Sequence, residues 1–340
     1  MSESTSAAVT TISFILVVTN VIGNSLVCWI IKKNRNMRIS LNYLLVNLAV
    51  ADILYAVFIA PKVLVKLTVS HPDGLTGIFL CKLVTGGNLA WVGSASSIVT
   101  LVAISVERYY SVMYLFNKKG KLTRRRLKVI IAISWIFSSI FNLPVFLVRS
   151  FDDKSQQCSL SYPEKWIIKA RETAWLVLTV VPLLIMIGLY YRVVHLLWFK
   201  NCGGDSQFSS KQKGVLRVRK RVTLTVITVS VIFGICWGTS SFIYFMINVI
   251  SCDFGAIVVT VADILILFNS TVNPFVYALL NHQFREKMRG TTCCSRSSPF
   301  RIHHIRSPPS KELADDNVAH LSQTGRIRKS VPVNAVYSRT

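Results

Sequence analysis

Seven long apolar stretches dominate the chain between about Ala8 and Leu280. They begin near Ala8, Leu41, Leu80, Val129, Ala174, Val222 and Ala256. Each is long enough for a membrane-spanning helix, which needs roughly 20 mostly apolar residues. Such helices are compatible with lipid because they satisfy their own backbone hydrogen bonds. The pattern therefore predicts an all-α fold, a bundle of seven transmembrane helices.

A short amphipathic segment from His282 to Arg289 follows the seventh stretch, and we expect it to lie along the membrane surface as an eighth helix. Three parts are predicted: a short terminal segment over 1–7, the helical domain over 8–292 and a tail over 293–340. The tail mixes Ser, Pro, Arg and Lys with few aromatic residues, a composition typical of disorder. Its serines and threonines are candidate phosphorylation sites, and a plain solvated tail is the alternative.

The basic residues are distributed unevenly around these stretches. The chain has 340 residues, is 52% hydrophobic and 16% charged, and carries a net charge of +24. Of its 39 Lys and Arg residues, 31 lie in the connections after predicted helices 1, 3 and 5 and in the tail. Because basic connections stay cytoplasmic, we expect an extracellular N-terminus and a cytoplasmic C-terminus in the plasma membrane. The excess then attracts anionic membrane lipid, and it argues against a nucleic-acid partner.

The cysteines divide between the two predicted sides of the membrane. Cys81 lies at the outer end of predicted helix 3, and Cys158 lies in the second outer loop. Both face an oxidising compartment, so we expect a disulfide that holds this loop over the mouth of the bundle. Cys293 and Cys294 closely follow the last helix and are palmitoylation candidates, with unmodified thiols as the alternative.

Polar residues inside the predicted membrane span are candidate functional groups, since burying them in lipid is costly. Asp52 lies roughly 20 Å from the inner end of predicted helix 2, counted at the helical rise per residue. Ser97 and Asn273 reach a similar depth on helices 3 and 7. Their oxygens are suited to a hard cation such as Na⁺. A water-filled polar network without an ion is an equally good interpretation.

Two short motifs lie at the predicted inner ends of helices. Helix 3 ends in Glu107-Arg108-Tyr109, which by itself is most simply a solvated ion pair. Helix 7 contains Asn273-Pro274-Phe275-Val276-Tyr277, in which the proline removes one helical hydrogen bond and permits a kink. Each motif alone is weak, so their value depends on what accompanies them.

The ordered set of motifs across all seven helices resembles the rhodopsin-like G-protein-coupled receptors, particularly their peptide receptors, over about Ile12 to Thr292. The matching residues are Gly23, Asn24 and Val27; Leu48, Ala49 and Asp52; Cys81, Glu107, Arg108 and Tyr109; Trp135 and Pro144; Pro182 and Tyr190; Phe233, Cys236 and Trp237; Asn273, Pro274 and Tyr277; and Phe284. The order and helix assignment of this set make the resemblance specific.

The resemblance implies a signalling role for several of these residues. Arg108 would receive a heterotrimeric G protein and would be held by Glu107 at rest. Tyr190 and Tyr277 would swing inward to stabilise the active form. Phe233 and Trp237 would transmit the ligand signal. Asp52, Ser97 and Asn273 would form the sodium site. A phosphorylated tail would recruit arrestin.

Helix 6 departs from the family pattern at two positions. Thr239 stands where a proline usually produces a kink, so Gly234 and Gly238 are left to supply flexibility. Arg219 stands where many members place an acid that pairs with the arginine of helix 3. A like charge cannot bridge to Arg108, and we therefore expect raised ligand-free signalling.

Helix 3 departs from the pattern in its length. Cys81 precedes Arg108 by 27 residues, slightly more than is usual in the family. Cys81 is therefore expected either to sit higher than usual or to follow a distortion of the helix near Gly86-Gly87.

The ligand class is narrowed by what helices 3 and 7 lack. Ala90 stands where amine receptors place an aspartate, and Leu267 stands where opsins carry the lysine that binds retinal. The resemblance therefore disfavours a biogenic amine or retinal. Asp263 lies nearer the outer mouth and could anchor a cationic ligand group, or pair internally with Lys62 or Lys66.

The outer surface offers further candidate ligand contacts. Trp166 belongs to a charged and aromatic outer loop that suits a peptide, and Ser94 on helix 3 is a further candidate ligand contact. We therefore expect an extracellular, neuropeptide-like ligand.

Other functional classes fit the sequence less well. A transporter or channel would require repeated halves or pore-lining charges, and we find no internal repeat. An enzyme is not expected, because no nucleophile–base pair or metal-ligand spacing is present, and no cofactor is indicated apart from the possible sodium ion. A receptor-like scavenger or dimerisation partner that does not couple remains the main alternative, favoured by Thr239.

Overall fold

A computed structural model describes residues 3–64, 74–114, 122–152, 157–160, 162–200, 210–281 and 284–287. Seven helices within these ranges are long and apolar enough to cross a membrane. They are α1 (Glu3–Lys33), α2 (Ser40–Leu64), α3 (Leu75–Met113), α4 (Arg124–Val148), α5 (Lys165–Val194), α6 (Ser210–Phe245) and α7 (Gly255–Leu280). The seven-helix bundle predicted from the apolar stretches is confirmed.

Several helices begin well before the apolar stretches that predicted them. Helix α1 begins at Glu3 rather than near Ala8, and α6 begins at Ser210 rather than near Val222. An apolar stretch marks only the part of a helix that lipid covers, whereas polar turns extend the same helix beyond it. At the start of α1, the hydroxyl of Thr10 donates to the Ser6 carbonyl one turn earlier, 3.0 Å away.

Helix α3 lies at the centre of the bundle. In its most apolar window 67% of the residues are buried, against 22% in α4, which is therefore peripheral. Gly93 permits a close approach between α3 and α2, since a Cβ atom added there would lie 2.7 Å from the Ala51 carbonyl oxygen. The bundle thus positions α3 where it contacts helices from both halves of the chain.

A two-stranded hairpin, which was not predicted, connects α4 and α5. Strands β1 (Arg149–Asp152) and β2 (Gln157–Leu160) pair antiparallel, with Phe151 opposite Cys158. Four-residue strands are too short to leave a clear alternating pattern in the sequence. The predicted disulfide between Cys81 and Cys158 is confirmed, and it ties β2 to α3.

Helix α3 is distorted directly after this disulfide. A π-helical turn over Cys81–Thr85 is followed by Gly87, whose φ of 71° lies in the left-handed region, and regular α-helix resumes at Asn88. The distortion expected near Gly86-Gly87 is confirmed. It accommodates the long spacing between the disulfide and Arg108 because a π-turn adds a residue to the helix.

The predicted surface helix is described only over 284–287, where the chain is helical. The Phe284 amide donates to the Asn281 side chain, 3.3 Å away, and the Phe284 ring packs edge-on against Tyr277. His282, Arg289 and the whole predicted tail, including Cys293 and Cys294, lie outside the described residues.

Candidate functional site

The candidate residues occupy three levels along the bundle. We call the end that carries the Cys81–Cys158 bond the disulfide end, and the end that carries Glu107 and Arg108 the Arg108 end. A cavity opens near the disulfide end, a polar cluster surrounds Asp52 in the middle, and a buried ion pair lies at the Arg108 end.

The cavity has a volume of about 230 Å³ and aromatic walls. The rings of Trp175 and Trp237 stack with centroids 5.4 Å apart and planes inclined by 15°. Trp91 meets them edge-on, at 5.3 Å from Trp175 and 6.5 Å from Trp237. Of these three tryptophans, only Trp237 was predicted from the sequence. A signal for the other two was present, because α3, α5 and α6 each carry a tryptophan at a similar distance from the disulfide end.

Three charged residues also line the cavity, and none of them was predicted. Arg171 on α5 pairs with its neighbour Glu172 at 2.6 Å, and its guanidinium lies 5.6 Å from the centre of the Trp91 ring. Arg149 on β1 donates to the Gly86 carbonyl at 2.5 Å and to the Asn88 side chain at 3.3 Å. The guanidinium thus satisfies the Gly86 carbonyl, which the distortion of α3 leaves without its helical partner. Burial lowers the pKa of Arg149 to about 10.

None of the predicted ligand contacts, Asp263, Trp166 and Ser94, is among the residues that line this cavity. The Tyr244 hydroxyl, which does line the cavity, donates to Asp263 at 2.6 Å. The expected alternative partners of Asp263 are not described, since Lys66 and the Lys62 side chain lie outside the described residues. Trp166 is 66% exposed and borders a separate apolar pocket between α4 and α5, and Ser94 is buried within the bundle.

The predicted polar cluster is brought together as expected. Ser97 donates to one Asp52 carboxylate oxygen at 2.9 Å, and the Asn273 amide nitrogen donates to the other at 2.7 Å. The Asp52 residue is only 2% exposed. The amide oxygens of Asn273 and Asn24 are buried and have no hydrogen-bond partner among the described residues. The cluster therefore contains oxygen atoms that are available to a cation or to water.

A chain of contacts connects the cavity with the other end of the bundle. The rings of Trp237 and Phe233 lie one turn apart on α6, with centroids 6.4 Å apart. Further along, the Tyr190 hydroxyl on α5 lies 2.5 Å from the Ser105 hydroxyl on α3 and 3.0 Å from the Ser230 hydroxyl on α6. Tyr190 thus joins three helices.

The motif residues of α7 are also buried. Pro274 faces α1, where a Cβ atom added to Gly23 would lie 3.0 Å from the proline ring. The Tyr277 hydroxyl is buried and has no hydrogen-bond partner in the described part of the chain. A buried polar group of this kind costs free energy, so Tyr277 is held without the bond that would normally stabilise it.

At the Arg108 end, Glu107 and Arg108 form an ion pair whose side chains are only 10% and 9% exposed. The interpretation of this motif as a solvated pair is therefore wrong, because the neighbouring helices cover both groups. Tyr109 packs in a small apolar cluster with Val112 and Leu197. Among the described residues Arg219 forms no ion pair with Glu107. Its guanidinium donates to the backbone carbonyl of Ser111 on α3.

Comparison with known proteins agrees with this geometry. Residues 23–277 match the family described as the 7 transmembrane receptor (rhodopsin family). A QRFP-like peptide receptor of Branchiostoma floridae is 28% identical, over 83% of this chain and 77% of its own. The pyroglutamylated RF-amide peptide receptor of Rattus norvegicus is 27% identical, over 90% and 73%. Neuropeptide receptor 15 of Caenorhabditis elegans is 28% identical, over 82% and 88%. The chain is therefore a member of the rhodopsin family of seven-transmembrane receptors.

Proposed function

We propose that this receptor binds an extracellular peptide in the cavity at its disulfide end and activates a heterotrimeric G protein at its Arg108 end. The observation that carries the proposal is the position of α6. Trp237 of this helix lines the cavity, and Arg219 of the same helix contacts α3 three residues beyond Arg108. A ligand that displaces Trp237 therefore acts on the helix that borders the Arg108 end.

A peptide is the ligand class that the comparisons favour, since several similar receptors are named for peptides. The cavity supports this choice, because three tryptophans and several charged groups suit a ligand with both aromatic and polar parts. Ala90 is buried on α3 where an amine receptor needs an acid, which argues against a biogenic amine. Leu267 on α7 in turn argues against retinal.

The proposed mechanism is a shift between two populations of the receptor. The ligand binds the form with an open Arg108 end more tightly, so its binding increases that population. In the described arrangement, Tyr190 joins α3, α5 and α6, and Glu107 holds Arg108. Opening of this end requires α6 to leave Ser111 and makes Arg108 available. By linkage, the bound G protein raises the affinity for the ligand.

We also propose that Asp52, Ser97 and Asn273 bind a sodium ion. The residues fit a hard cation, since two carboxylate oxygens, a hydroxyl and an unpartnered buried amide oxygen lie together. Sodium chloride should raise the Tm of the purified receptor more than choline chloride does, and Asp52→Asn should abolish the difference. Asp263→Asn, which removes another carboxylate of the bundle, should keep it. A sodium effect that survives in Asp52→Asn would favour a polar network without an ion.

The membrane topology and the cytoplasmic partners are part of the same proposal. The distribution of basic residues supports an extracellular N-terminus in the plasma membrane and attraction of anionic lipid to the Arg108 end. A phosphorylated tail would recruit arrestin, and palmitoylated Cys293 and Cys294 would anchor it. An epitope at the N-terminus should be labelled on intact cells, and one at the C-terminus only after permeabilisation.

The deciding experiment measures G-protein activation across the main G-protein classes without ligand, for the native chain and for Arg108→Ala. We expect activity above that of empty cells, lost in Arg108→Ala at equal surface expression. Arg126→Ala is the matched control, because Arg126 is an exposed arginine at the same end of the bundle. A library of peptides is then screened on the same cells to identify the ligand.

A receptor that binds its ligand without coupling is the second candidate. The favouring observation is that α6 runs from Ser210 to Phe245 without a proline, so its usual hinge is missing. Binding of a peptide with no activation of any G protein, in both the native chain and Thr239→Pro, would establish this alternative.

A further inference from the structure

Three side chains that line the cavity each carry a buried donor with no hydrogen-bond partner among the described residues. The donors are the Nε–H groups of Arg149 and Arg171 and the hydroxyl of Tyr162. All three atoms are buried, and each is without a hydrogen bond within the described part of the chain. They come from β1, from the segment before α5 and from α5 itself, so the fold brings them together from separate positions in the sequence.

Unpartnered buried donors are costly, and natural proteins contain few of them. Three such donors on side chains around one cavity of about 230 Å³ therefore indicate a ligand that supplies acceptors when these side chains turn toward it. One terminal nitrogen of each arginine is already bonded within the protein. Arg149 bonds to the Gly86 carbonyl and the Asn88 side chain, and Arg171 bonds to Glu172.

The charge of the cavity wall indicates the sign of that group. Arg149 and Arg171 provide two positive charges, and Glu172 is the acidic residue among the lining residues. Glu172 is paired with Arg171, and no described carboxylate forms an ion pair with Arg149. The remaining nearby acid, Asp263, accepts the hydroxyl of Tyr244. A ligand that brings negative charge would thus compensate the arginine that the protein leaves uncompensated.

The apolar part of the wall indicates what carries the charge. The stacked rings of Trp175 and Trp237, with Trp91 edge-on to both, form a surface suited to an aromatic ring. We infer that the cavity binds a carboxylate next to an aromatic group of the peptide, with Arg149, Arg171 and Tyr162 as its donors. This inference rests on the proposed function, whose peptide ligand it specifies further.

The carboxylate could be the C-terminus of the peptide or an acidic side chain, and matched probes distinguish the two. The first pair is N-acetyl-phenylalanine and its C-terminal amide. The second pair is N-acetyl-Glu-Phe-amide and N-acetyl-Gln-Phe-amide. Binding to the purified full chain is followed by its tryptophan fluorescence, because the cavity contains three tryptophans and the probes contain none.

We expect at least one acid to bind about tenfold or more tightly than its neutral partner, since charge-assisted hydrogen bonds are the stronger class. The pair that shows the preference identifies the source of the carboxylate. Equal binding within both pairs, tighter binding of the neutral probes, or no saturable binding of any probe would overturn the inference.

Two variants assign the preference to the named donors. Arg149→Gln should reduce the acid-to-amide ratio to about one, whereas Lys169→Gln, which removes an exposed cation of α5, should leave it unchanged. Because Arg149 also holds the distorted turn of α3, Tyr162→Phe provides a test that spares the fold. Its hydroxyl has no hydrogen-bond partner among the described residues, so the Tm should not fall. The acid should bind about threefold or more weakly, and the amide as before.

A preference that persists in both variants would overturn the assignment to these donors. Failure here is distinguishable from failure of the proposed function, because ligand-free G-protein activation and its loss in Arg108→Ala do not depend on the probes. A chain that activates a G protein and shows no carboxylate preference would refute only the present inference.

Discussion

The disulfide end and the Arg108 end of the bundle are built differently. At the Arg108 end, regular helices bring together motif residues, so that Glu107 and Arg108 pair on one turn and Arg219 reaches the Ser111 carbonyl. At the disulfide end, α3 is interrupted and its freed backbone group is bonded by Arg149 from a hairpin. One end depends on helix-to-helix contacts, whereas the other depends on an irregular segment held by a covalent bond.

This difference assigns separate tasks to the two ends. Irregular backbone can be adapted to a ligand without repacking the bundle, and such segments commonly carry binding residues on a rigid scaffold. The described contacts of the Arg108 end are an ion pair and hydrogen bonds, which can break and re-form as a two-state switch requires. Changes at the disulfide end should therefore affect stability and ligand binding, and changes at the Arg108 end should affect ligand-free signalling.

The largest effect is expected from breaking the disulfide. Cys158→Ser releases a loop of 77 residues and should lower the free energy of unfolding by about 2–5 kcal/mol. It also frees β2 and the wall of the cavity, so peptide binding should be lost. Thermal unfolding of the purified receptor measures the first effect. Cys252→Ser, which removes a free cysteine, should leave the Tm unchanged. A Tm of Cys158→Ser equal to the native value would contradict the comparison.

The next effect concerns the left-handed turn in α3. Gly87→Ala places a Cβ where there is space, with its nearest contact at 3.7 Å, but the φ of 71° should cost about 1–2 kcal/mol. Gly87→Asn should cost less, because asparagine tolerates this conformation. Gly188→Ala is the control, since it meets no atom within 4 Å in a regular helix and should leave the Tm equal or slightly higher. If Gly87→Ala and Gly188→Ala gave the same Tm, the turn would not be held as described.

At the Arg108 end, Arg219→Ala should raise ligand-free G-protein activation. It removes the contact between α6 and the Ser111 carbonyl, and a loss of about 1 kcal/mol changes a population ratio roughly fivefold. Arg219→Glu should instead lower the activity below the native level, because the carboxylate can pair with Arg108. Arg217→Ala, at an exposed position on α6, serves as control. Native activity no higher than that of empty cells would refute the expected raised basal signalling.

The contrast between the ends also explains what the sequence could predict. The depth of Asp52, Ser97 and Asn273 follows from counting residues along regular helices, so their meeting was foreseeable. Even the distortion near Gly87 could be predicted, because more residues than usual separate Cys81 from Arg108. The position of Arg149 could not be read in this way, because its partners exist only after α3 breaks and the hairpin folds back. The prediction that Glu107 and Arg108 form a solvated pair failed for a related reason. The neighbouring helices that cover the pair are distant in the sequence.

The smallest effect is expected from Tyr190→Phe. The hydroxyl links Ser105 of α3 to Ser230 of α6, so its removal should lower the free energy of unfolding by about 0.5–1 kcal/mol. If Tyr190 also stabilises the active form, G-protein activation by a peptide agonist should fall as well, while agonist affinity at the distant cavity changes little. Tyr191→Phe removes the neighbouring hydroxyl, on a side chain that is 72% exposed, and should change neither quantity. A large loss of agonist affinity in Tyr190→Phe would show that the two ends are less separate than their construction indicates, because a single hydroxyl of the Arg108 half would then control the cavity.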